Sequence, residues 1–150
     1  EMYKRSMENN KDAVSANSVI PVAISDAIEV ICKESAITKI VAITRSGYAA
    51  KILSTRNLTQ PILAISDDEV AAKSFNFYPG VQGIYYPHQF PKSSLDHVVS
   101  ILKDLRKCHL LNDEDMILVT AVGYPNSGNR MNTIQTHSVK DLVATLGWDN

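Results

Sequence analysis

Four short apolar runs, rich in β-branched residues, recur along this chain with a helical segment between each pair. They cover residues 40–43, 61–65, 81–85 and 116–120. Each run is too short for a helix. Each also lacks the strict alternation of apolar and polar residues that is typical of a strand with one face exposed to solvent. Runs of this kind are typical of strands buried on both faces of a parallel sheet. Strands that alternate with helices predict an α/β fold.

Helical periodicity fills the gaps between these runs. Pro21 stands where a helix can begin, and the spacing of the following apolar residues predicts a buried face, with Ser25 on the polar side. The residues of that face are Ala23, Ile24, Ala27, Ile28 and Ile31. A second helix is expected to follow Gly47. Ser66 is expected to cap a third, which would open with the acids of residues 67–69.

The segment after residue 93 contains the clearest helix. Ser93 and Asp96 resemble a capping box, and basic residues near position 106 suit the negative end of the helix dipole. The apolar stripe predicted for its buried face consists of Leu95, Val98, Val99, Leu102 and Leu105.

A polar, mixed segment over residues 131–139 predicts a fifth strand at an edge of the sheet, antiparallel to its neighbour. The whole pattern predicts a three-layer α/β/α sandwich around a mostly parallel five-stranded sheet. Residues 1–18 are polar and weakly patterned, so we interpret them as a segment that connects an upstream domain to an α/β domain over residues 19–150. The first residue is Glu rather than Met, as expected of a piece of a longer chain. The pattern assigns no role to residues 140–150.

Charge and composition exclude several classes of function. The formal net charge of −1 argues against a nucleic-acid partner, because such domains carry a basic excess. No apolar run approaches the roughly 20 residues that span a bilayer, so no membrane partner is expected. Cys32 and Cys108 have no Cys-x-x-Cys spacing, which argues against a zinc site or a disulfide framework and favours a cytoplasmic, reducing location.

Thr44-Arg45-Ser46-Gly47 follows the first strand, and two interpretations of it stay open. A helix start offers unpaired N–H groups and partial positive charge, which suit a phosphate. Its hydroxyls and Gly47 would let that phosphate approach the backbone, with Arg45 as an added charge. Alternatively, Ser46 caps the helix and Gly47 eases the turn.

A second candidate segment, Gly123 to Arg130, follows the fourth strand. It is rich in residues that form turns. It is either a plain loop into the edge strand or a lid over a ligand held at the first loop. In sheets of this class, ligands bind outside the carboxyl ends of the strands, where both segments are expected to lie.

These two segments carry a resemblance to a known family. Thr44 to Ala50, Thr-Arg-Ser-Gly-Tyr-Ala-Ala, resembles the phosphate-binding loop T-x-S-G-x-[ST]-A of pyruvate kinase C-terminal domains. Val119-Thr120, Gly123-Tyr124-Pro125, Ser127-Gly128 and Asn132-Thr133 are similar to the effector loop of that family. The order of the intervening helices and strands is similar too, so the resemblance covers roughly residues 20–139.

The resemblance implies a site for a phosphorylated small-molecule effector, such as a sugar phosphate or a nucleotide monophosphate. The residues so implied are Thr44, Arg45, Ser46, Gly47, Tyr48, Ala49, Gly123, Tyr124, Asn126, Ser127 and Gly128. Ala49 stands where the family often has Ser or Thr, so one phosphate-bonding hydroxyl is missing. The second loop also lacks the Trp and Arg of some fructose-bisphosphate-regulated members.

The resemblance also implies a parent enzyme in glycolysis, a kinase that transfers a phosphoryl group from phosphoenolpyruvate to ADP. The phosphoryl-transfer residues and the magnesium and potassium ligands would lie in an upstream catalytic barrel domain, so no catalytic residue is expected in this chain. The implied assembly is a homo-oligomer, a tetramer in the parent.

Two other functions are weighed against this one. The first is a stand-alone domain of the same fold that binds a phosphometabolite without catalysis. The second is an independent enzyme such as a small hydrolase or phosphatase, and the absence of a G-x-S-x-G frame around Ser46 argues against it. The four histidines show no metal-ligand spacing.

Overall fold

Five strands form one sheet in the computed structural model, which describes residues 19–91, 94–122 and 131–149. The strands are β1 Lys39–Ile43, β2 Ile62–Ser66, β3 Val81–Tyr85, β4 Met116–Ala121 and β5 Thr133–Ser138. The helices are α1, described over residues 19–34, α2 Tyr48–Ser54, α3 Glu69–Phe75, α4 Asp96–Lys107 and α5 Val139–Leu146. The four apolar runs lie in strands as the sequence pattern predicts, except that Pro61 precedes β2 rather than beginning it.

The order of the strands across the sheet is β3-β2-β1-β4-β5. β1 pairs in parallel with β2 and β4, β2 pairs in parallel with β3, and β5 runs antiparallel to β4 at the edge. This confirms the mostly parallel sheet with an antiparallel last strand. The chain moves outward from β1 to β3 and then returns to place β4 on the other side of β1, so the order reverses between β1 and β4.

Alternate residues of the central strands enter two separate cores. Val41, Ile43 and Val119 face one side, where they pack with α4 and α5. Ile40 and Ala42 face the other, where they pack with α1, α2 and α3. Because both faces are covered, the sheet forms the middle layer of an α/β/α sandwich and its central strands are apolar on both sides.

Helix α3 lies unusually close to β3, at Gly83. A Cβ atom built on Gly83 would lie 1.9 Å from the carbonyl oxygen of Ala72 and 3.1 Å from Cβ of Phe75. The backbone of α3 therefore occupies the space that a side chain would need. This contact lets the fully buried Phe75 ring reach the core beneath α2.

The C-terminal segment differs from the sequence prediction. The last strand ends at Ser138 rather than Val139, and Ser138 caps α5 by accepting a hydrogen bond from the Asp141 amide. Gly147 ends the helix in the left-handed region, at φ 65°, and the chain then turns Trp148 into the core with α4. Hydrophobic periodicity in this eight-residue helix is too short to stand out, which is why the pattern assigns it no role.

Three predicted helix details are wrong. In α1, Ala23 is exposed, whereas Ser25 is buried and its hydroxyl accepts a hydrogen bond from Arg56 Nη2 at 2.6 Å. In α4, Val99 is exposed and Ile101 takes its place in the core. A polar residue with a partner on a neighbouring helix can be buried, and periodicity alone cannot find that partner.

The predicted helix caps also need correction. Asp68, not Ser66, caps α3 by accepting a hydrogen bond from the Ala71 amide at 2.9 Å. Ser66 is the last residue of β2. Ser93 of the predicted capping box lies outside the described residues, and α4 begins after Leu95 with no side-chain cap from the part of the chain that is described. Over the described ranges, no helix is both long and apolar enough to cross a membrane.

We predict that Gly83→Ala destabilises the domain by about 1–3 kcal/mol, the usual cost of forcing extra volume into a packed site. The reason is the collision of the new Cβ with the α3 backbone. Urea unfolding followed by the fluorescence of Trp148, the single tryptophan of the chain, measures the effect. Gly80→Ala is the control, because its Cβ would meet no described atom within 4 Å and only its positive φ of 72° opposes it. A cost for Gly83→Ala no larger than for Gly80→Ala would contradict the close packing.

A second prediction concerns the end of the chain. Trp148→Ala should destabilise the domain by about 3 kcal/mol, because it empties a large site in the core beneath α4 and α5. Unfolding followed by circular dichroism measures this change without the tryptophan. Leu146→Ala, which alters an exposed residue of α5, should cost less than about 1 kcal/mol. Equal losses in the two variants would show that Trp148 does not anchor α5.

Candidate functional site

The strand order reverses between β1 and β4, so the carboxyl ends of these two strands are the expected position of a ligand. Ligands of doubly wound sheets bind at such points. The loop over residues 44–47 follows β1, and residue 122 ends the described chain after β4. The first candidate loop therefore lies at the position that the topology favours. Gly123, Tyr124, Asn126, Ser127 and Gly128 of the second candidate loop lie outside the described residues.

Thr44 sets the shape of the loop from a nearly buried position. Its amide donates to the carbonyl of Ile65 at 2.9 Å and so extends the pairing of β1 with β2. Its hydroxyl oxygen accepts a hydrogen bond from the Gly47 amide at 3.0 Å. The hydroxyl proton of Thr44 is not used in that bond, so this side chain is still able to donate to a ligand.

Gly47 is the N-cap of α2 and adopts the left-handed region, at φ 87°. A Cβ there would lie 2.3 Å from Cε1 of Phe75, so glycine is required for both backbone conformation and space. Among the described residues, no side chain caps this helix. The prediction that Ser46 caps α2 is therefore wrong, whereas the role of Gly47 in the turn is confirmed. The Ser46 side chain is exposed.

Thr120 adds a second hydroxyl on the same side of the sheet as Thr44. Its register partner in β1 is Ala42, two residues before Thr44, and both strands run in the same direction. Thr120 is 0% exposed, and its Oγ1 atom has no hydrogen-bond partner among the described residues. A buried hydroxyl without a partner is costly, which makes this atom a candidate contact for a bound molecule.

Arg45 points away from this hydroxyl pair, toward the loop that follows β2. Its Nε and Nη2 atoms donate to the two carboxylate oxygens of Asp67, at 3.2 Å and 3.0 Å. Asp67 also accepts a hydrogen bond from the Phe90 amide at 2.8 Å. One carboxylate thus joins the three loops that follow β1, β2 and β3.

Ser66 makes a second connection between the first two of these loops. Its hydroxyl donates to the carbonyl oxygen of Arg45 at 3.0 Å and accepts from the Asp68 amide at 3.1 Å. The conformation of the Arg45 backbone is therefore determined by Ser66, and that of its side chain by Asp67. Both contacts connect the middle of the loop to the end of β2 and the residue after it.

The surroundings of Asp67 affect two pKa values. Burial alone would raise the pKa of Asp67, but the hydrogen bonds from Arg45 and from the Phe90 amide outweigh it and hold the pKa below its ordinary value. His97, at the start of α4, stacks on Phe90 with 4.9 Å between ring centroids. Burial lowers the pKa of His97, although Asp67 and Asp96 oppose the change, and its Nδ1 atom has no partner in the described structure.

The remaining site residues from the sequence have different surroundings. Ala49 is buried in the core with Phe75, so its methyl group faces the protein interior. Tyr48 is half-buried at the first position of α2. Within the described ranges, no group of three His, Cys, Asp or Glu side chains could hold a metal ion.

Two candidate site residues, Asp67 and Thr120, were not among the site residues expected from the sequence, although Thr120 is part of the resemblance to the effector loop. The sequence pattern places Asp67 among three acids at a helix start, but only Asp68 and Glu69 have that role. The register of β1 and β2 pairs Ile43 with Ile65, which puts residues 45 and 67 at equal distances beyond the pairing. The signal for this pair was that two residues of opposite charge each stand two positions beyond paired residues of neighbouring parallel strands. A threonine inside an otherwise apolar run was the signal for Thr120.

Comparison with known proteins agrees with this geometry. The sequence profile of the family described as pyruvate kinase, alpha/beta domain, matches residues 22–137. A crystal structure of a pyruvate kinase from Cryptosporidium parvum has the same fold, with a TM-score of 0.65 and 18% identity. The match covers 80% of this chain and 23% of that chain, so the chain spans under a quarter of its length. No curated protein matches the sequence.

A three-layer α/β/α sandwich around a mostly parallel five-stranded sheet is the class of domain that the fold defines. The family match covers well over half of the chain. The chain therefore belongs to the pyruvate kinase alpha/beta domain family, as the resemblance of its two loops indicated.

The Asp67 contacts predict a pH dependence. Because folding depresses the pKa of Asp67, the pair stabilises the fold above the ordinary value of 3.8, and this contribution is lost as the pH falls through the lower folded value. Asp67→Asn should cost about 1.5–3 kcal/mol at neutral pH, the range for hydrogen bonds to a charged group. The difference from the unmodified protein should shrink below pH 3.8. Urea unfolding from pH 7 down to pH 3 measures this difference.

Arg45→Gln provides the matched background for that measurement. Without its guanidinium partner, Asp67 should lose most of the depression of its pKa, so the effect of Asp67→Asn should depend less on pH. If the cost of Asp67→Asn were the same at every pH in both backgrounds, the contacts with Arg45 would not stabilise the carboxylate.

Proposed function

We propose that this chain is the regulatory and oligomerisation domain of a pyruvate kinase, and that the loop over residues 44–47 binds a phosphorylated effector. The parent would transfer a phosphoryl group from phosphoenolpyruvate to ADP in glycolysis, in the cytoplasm. Membership of the pyruvate kinase alpha/beta domain family supports the parent enzyme. The position of the loop after β1, where the strand order reverses, supports the effector site.

One observation carries the effector site. The hydroxyl of Thr120 is buried and has no partner in the described structure, and it lies on the same side of the sheet as Thr44. An apolar residue would fill that position at lower cost in free energy unless the hydroxyl had a use. A bound oxyanion would supply the missing acceptor.

The neighbouring loop has the features that a phosphate requires. The first turn of α2 lies at the positive end of the helix dipole. Ser46 presents an exposed hydroxyl beside this turn, and Gly47 removes the side chain that would block approach. Because Ser66 and Thr44 already hold the backbone in place, binding would cost little ordering of the loop.

An effector at this loop would act on the parent by population shift. A ligand changes the balance between two conformations only if it binds one of them better. We propose that the second conformation differs in the contacts of this domain with an upstream catalytic barrel and with other subunits of a tetramer. The magnesium and potassium ions and the catalytic residues would belong to the barrel.

We predict that one member of a small panel of phosphometabolites raises the melting temperature of this chain. The panel contains fructose 1,6-bisphosphate, glucose 6-phosphate, ribose 5-phosphate, AMP and inorganic phosphate. A ligand that binds only the folded state stabilises it by about 2.7 kcal/mol at a hundredfold excess over Kd. Thermal-shift titrations of the unmodified protein, Ser46→Ala and Thr120→Val measure the effect.

The variants locate the binding site. Ser46→Ala and Thr120→Val should each weaken the shift. Thr120→Val should not destabilise the unliganded protein, because the hydroxyl that it removes has no partner among the described residues. Ser54→Ala is the control, since Ser54 is at the other end of α2 and bonds the Lys51 carbonyl. A shift equal in all four proteins would place the ligand elsewhere, and no shift with any ligand would refute the effector site.

A further inference from the structure

Asp67 is a carboxylate held inside the protein by three donors. The Nε and Nη2 atoms of Arg45 and the amide of Phe90 lie 3.2, 3.0 and 2.8 Å from its oxygens. The Asp67 side chain is 6% exposed, whereas that of Arg45 is 45% exposed. The acid is therefore part of the interior, and it binds the cation of the candidate loop.

This pairing uses the edge of the Arg45 guanidinium that is formed by Nε and Nη2. The guanidinium edge formed by Nε and Nη2 binds a carboxylate or a phosphate through two parallel hydrogen bonds. Asp67 already fills that edge, and the carbonyl oxygen of Phe90 accepts from Nη2 as well, at 3.4 Å. A phosphate on the same edge would have to displace Asp67 and leave a nearly buried carboxylate without its counter-charge, which is strongly unfavourable.

The charge of the loop follows from this arrangement. Arg45 is neutralised by Asp67, and the next residues along that chain segment, Asp68 and Glu69, add further negative charge. What the loop over residues 44–47 offers to a ligand is hydroxyls and the weak field of α2, which suit one phosphoryl group. A second phosphoryl group beside the first would find the guanidinium of Arg45 already bound to Asp67.

We propose that Asp67 sets the ligand class of the loop by occupying Arg45, so that the site takes a phosphomonoester with one phosphoryl group and disfavours a bisphosphate. This inference rests on the proposed effector site. Arg45 is thereby assigned to the connection between loops rather than to ligand binding. Asp67 is a residue that determines specificity without touching the ligand.

The test compares two ligands with one sugar, fructose 6-phosphate and fructose 1,6-bisphosphate, by isothermal titration calorimetry. The unmodified protein should bind the bisphosphate no more tightly than the monophosphate. Asp67→Asn should bind the bisphosphate about tenfold more tightly, the effect of one additional charge-assisted hydrogen bond, with the monophosphate changed by less than about threefold. Arg45→Gln combined with Asp67→Asn should abolish that increase in affinity.

Asp113→Asn is the matched control. Asp113 receives two hydrogen bonds from the Nε and Nη2 atoms of Arg106, so this change removes the same charge from the same kind of pair. Arg106 lies in the last turn of α4, about 14 Å along the helix from His97 near Asp67. Neither ligand should change its affinity by more than about threefold in Asp113→Asn, the margin expected of a remote surface charge.

Arg45→Gln combined with Asp67→Asn keeps the proposal testable if Asp67→Asn alone fails to fold, because it removes both charges of the pair together. Since Arg45 is already occupied, this double variant should leave the affinity for the monophosphate within about threefold, whereas loss of a direct phosphate ligand would weaken it about tenfold or more. Amide shifts of Ser46 and Gly47 in nitrogen–proton spectra show whether the ligand is at the loop in each protein.

Separate outcomes overturn the two proposals. If binding depends on Ser46, the effector site stands, and either of two results would then refute the role of Asp67. One is a tenfold preference for the bisphosphate in the unmodified protein. The other is no increase in bisphosphate affinity in Asp67→Asn. A tenfold loss of monophosphate affinity in the double variant Arg45→Gln with Asp67→Asn would refute that role too. If no ligand bound to the folded unmodified protein or to Asp67→Asn, both proposals would fall.

Discussion

Burial of β1 on all sides is the constraint on which the rest of this structure depends. β1 lies between β2 and β4, and its residues 40–43 are covered on both faces by helices. A strand in that position satisfies its backbone groups through two neighbours and its side chains through two cores. Because the chain must reach both neighbours from one central strand, its order reverses at β1. In sheets of this class, ligands bind beside the carboxyl ends of the strands at such a reversal.

The polar groups at this end of the sheet form one connected system. Ser66 holds the backbone of Arg45 and Asp67 holds its side chain, while Asp67 also receives the amide of Phe90. These bonds satisfy groups that leave the strands and would otherwise be buried without partners. The same bonds determine which polar groups of the loop remain available to a ligand. Structural rigidity and ligand preference thus arise from the same few contacts in our proposal.

The fold was predictable from the sequence to a large extent, for a physical reason. Central parallel strands are short and continuously apolar, so residues 62–65 and 116–120 stand out without any knowledge of their partners. Short helices are harder to predict from the sequence. The eight residues of α5 are stabilised by Trp148 and by packing on α4 rather than by their own periodicity. The exposure of Val99 likewise depends on which side of α4 meets the sheet.

The candidate site likewise has one part that the sequence predicts and another that it does not. The class of fold, the loop over residues 44–47 and the role of Gly47 in its turn could be predicted from the amino-acid sequence, because they follow from local pattern and backbone conformation. The pairing of Arg45 with Asp67 became visible only in the folded molecule, as did the unpartnered hydroxyl of Thr120 among the described residues. Those facts depend on strand register, which brings residues 22 positions apart into hydrogen-bond distance. No local pattern contains that information, since the same residues in another strand order would never meet.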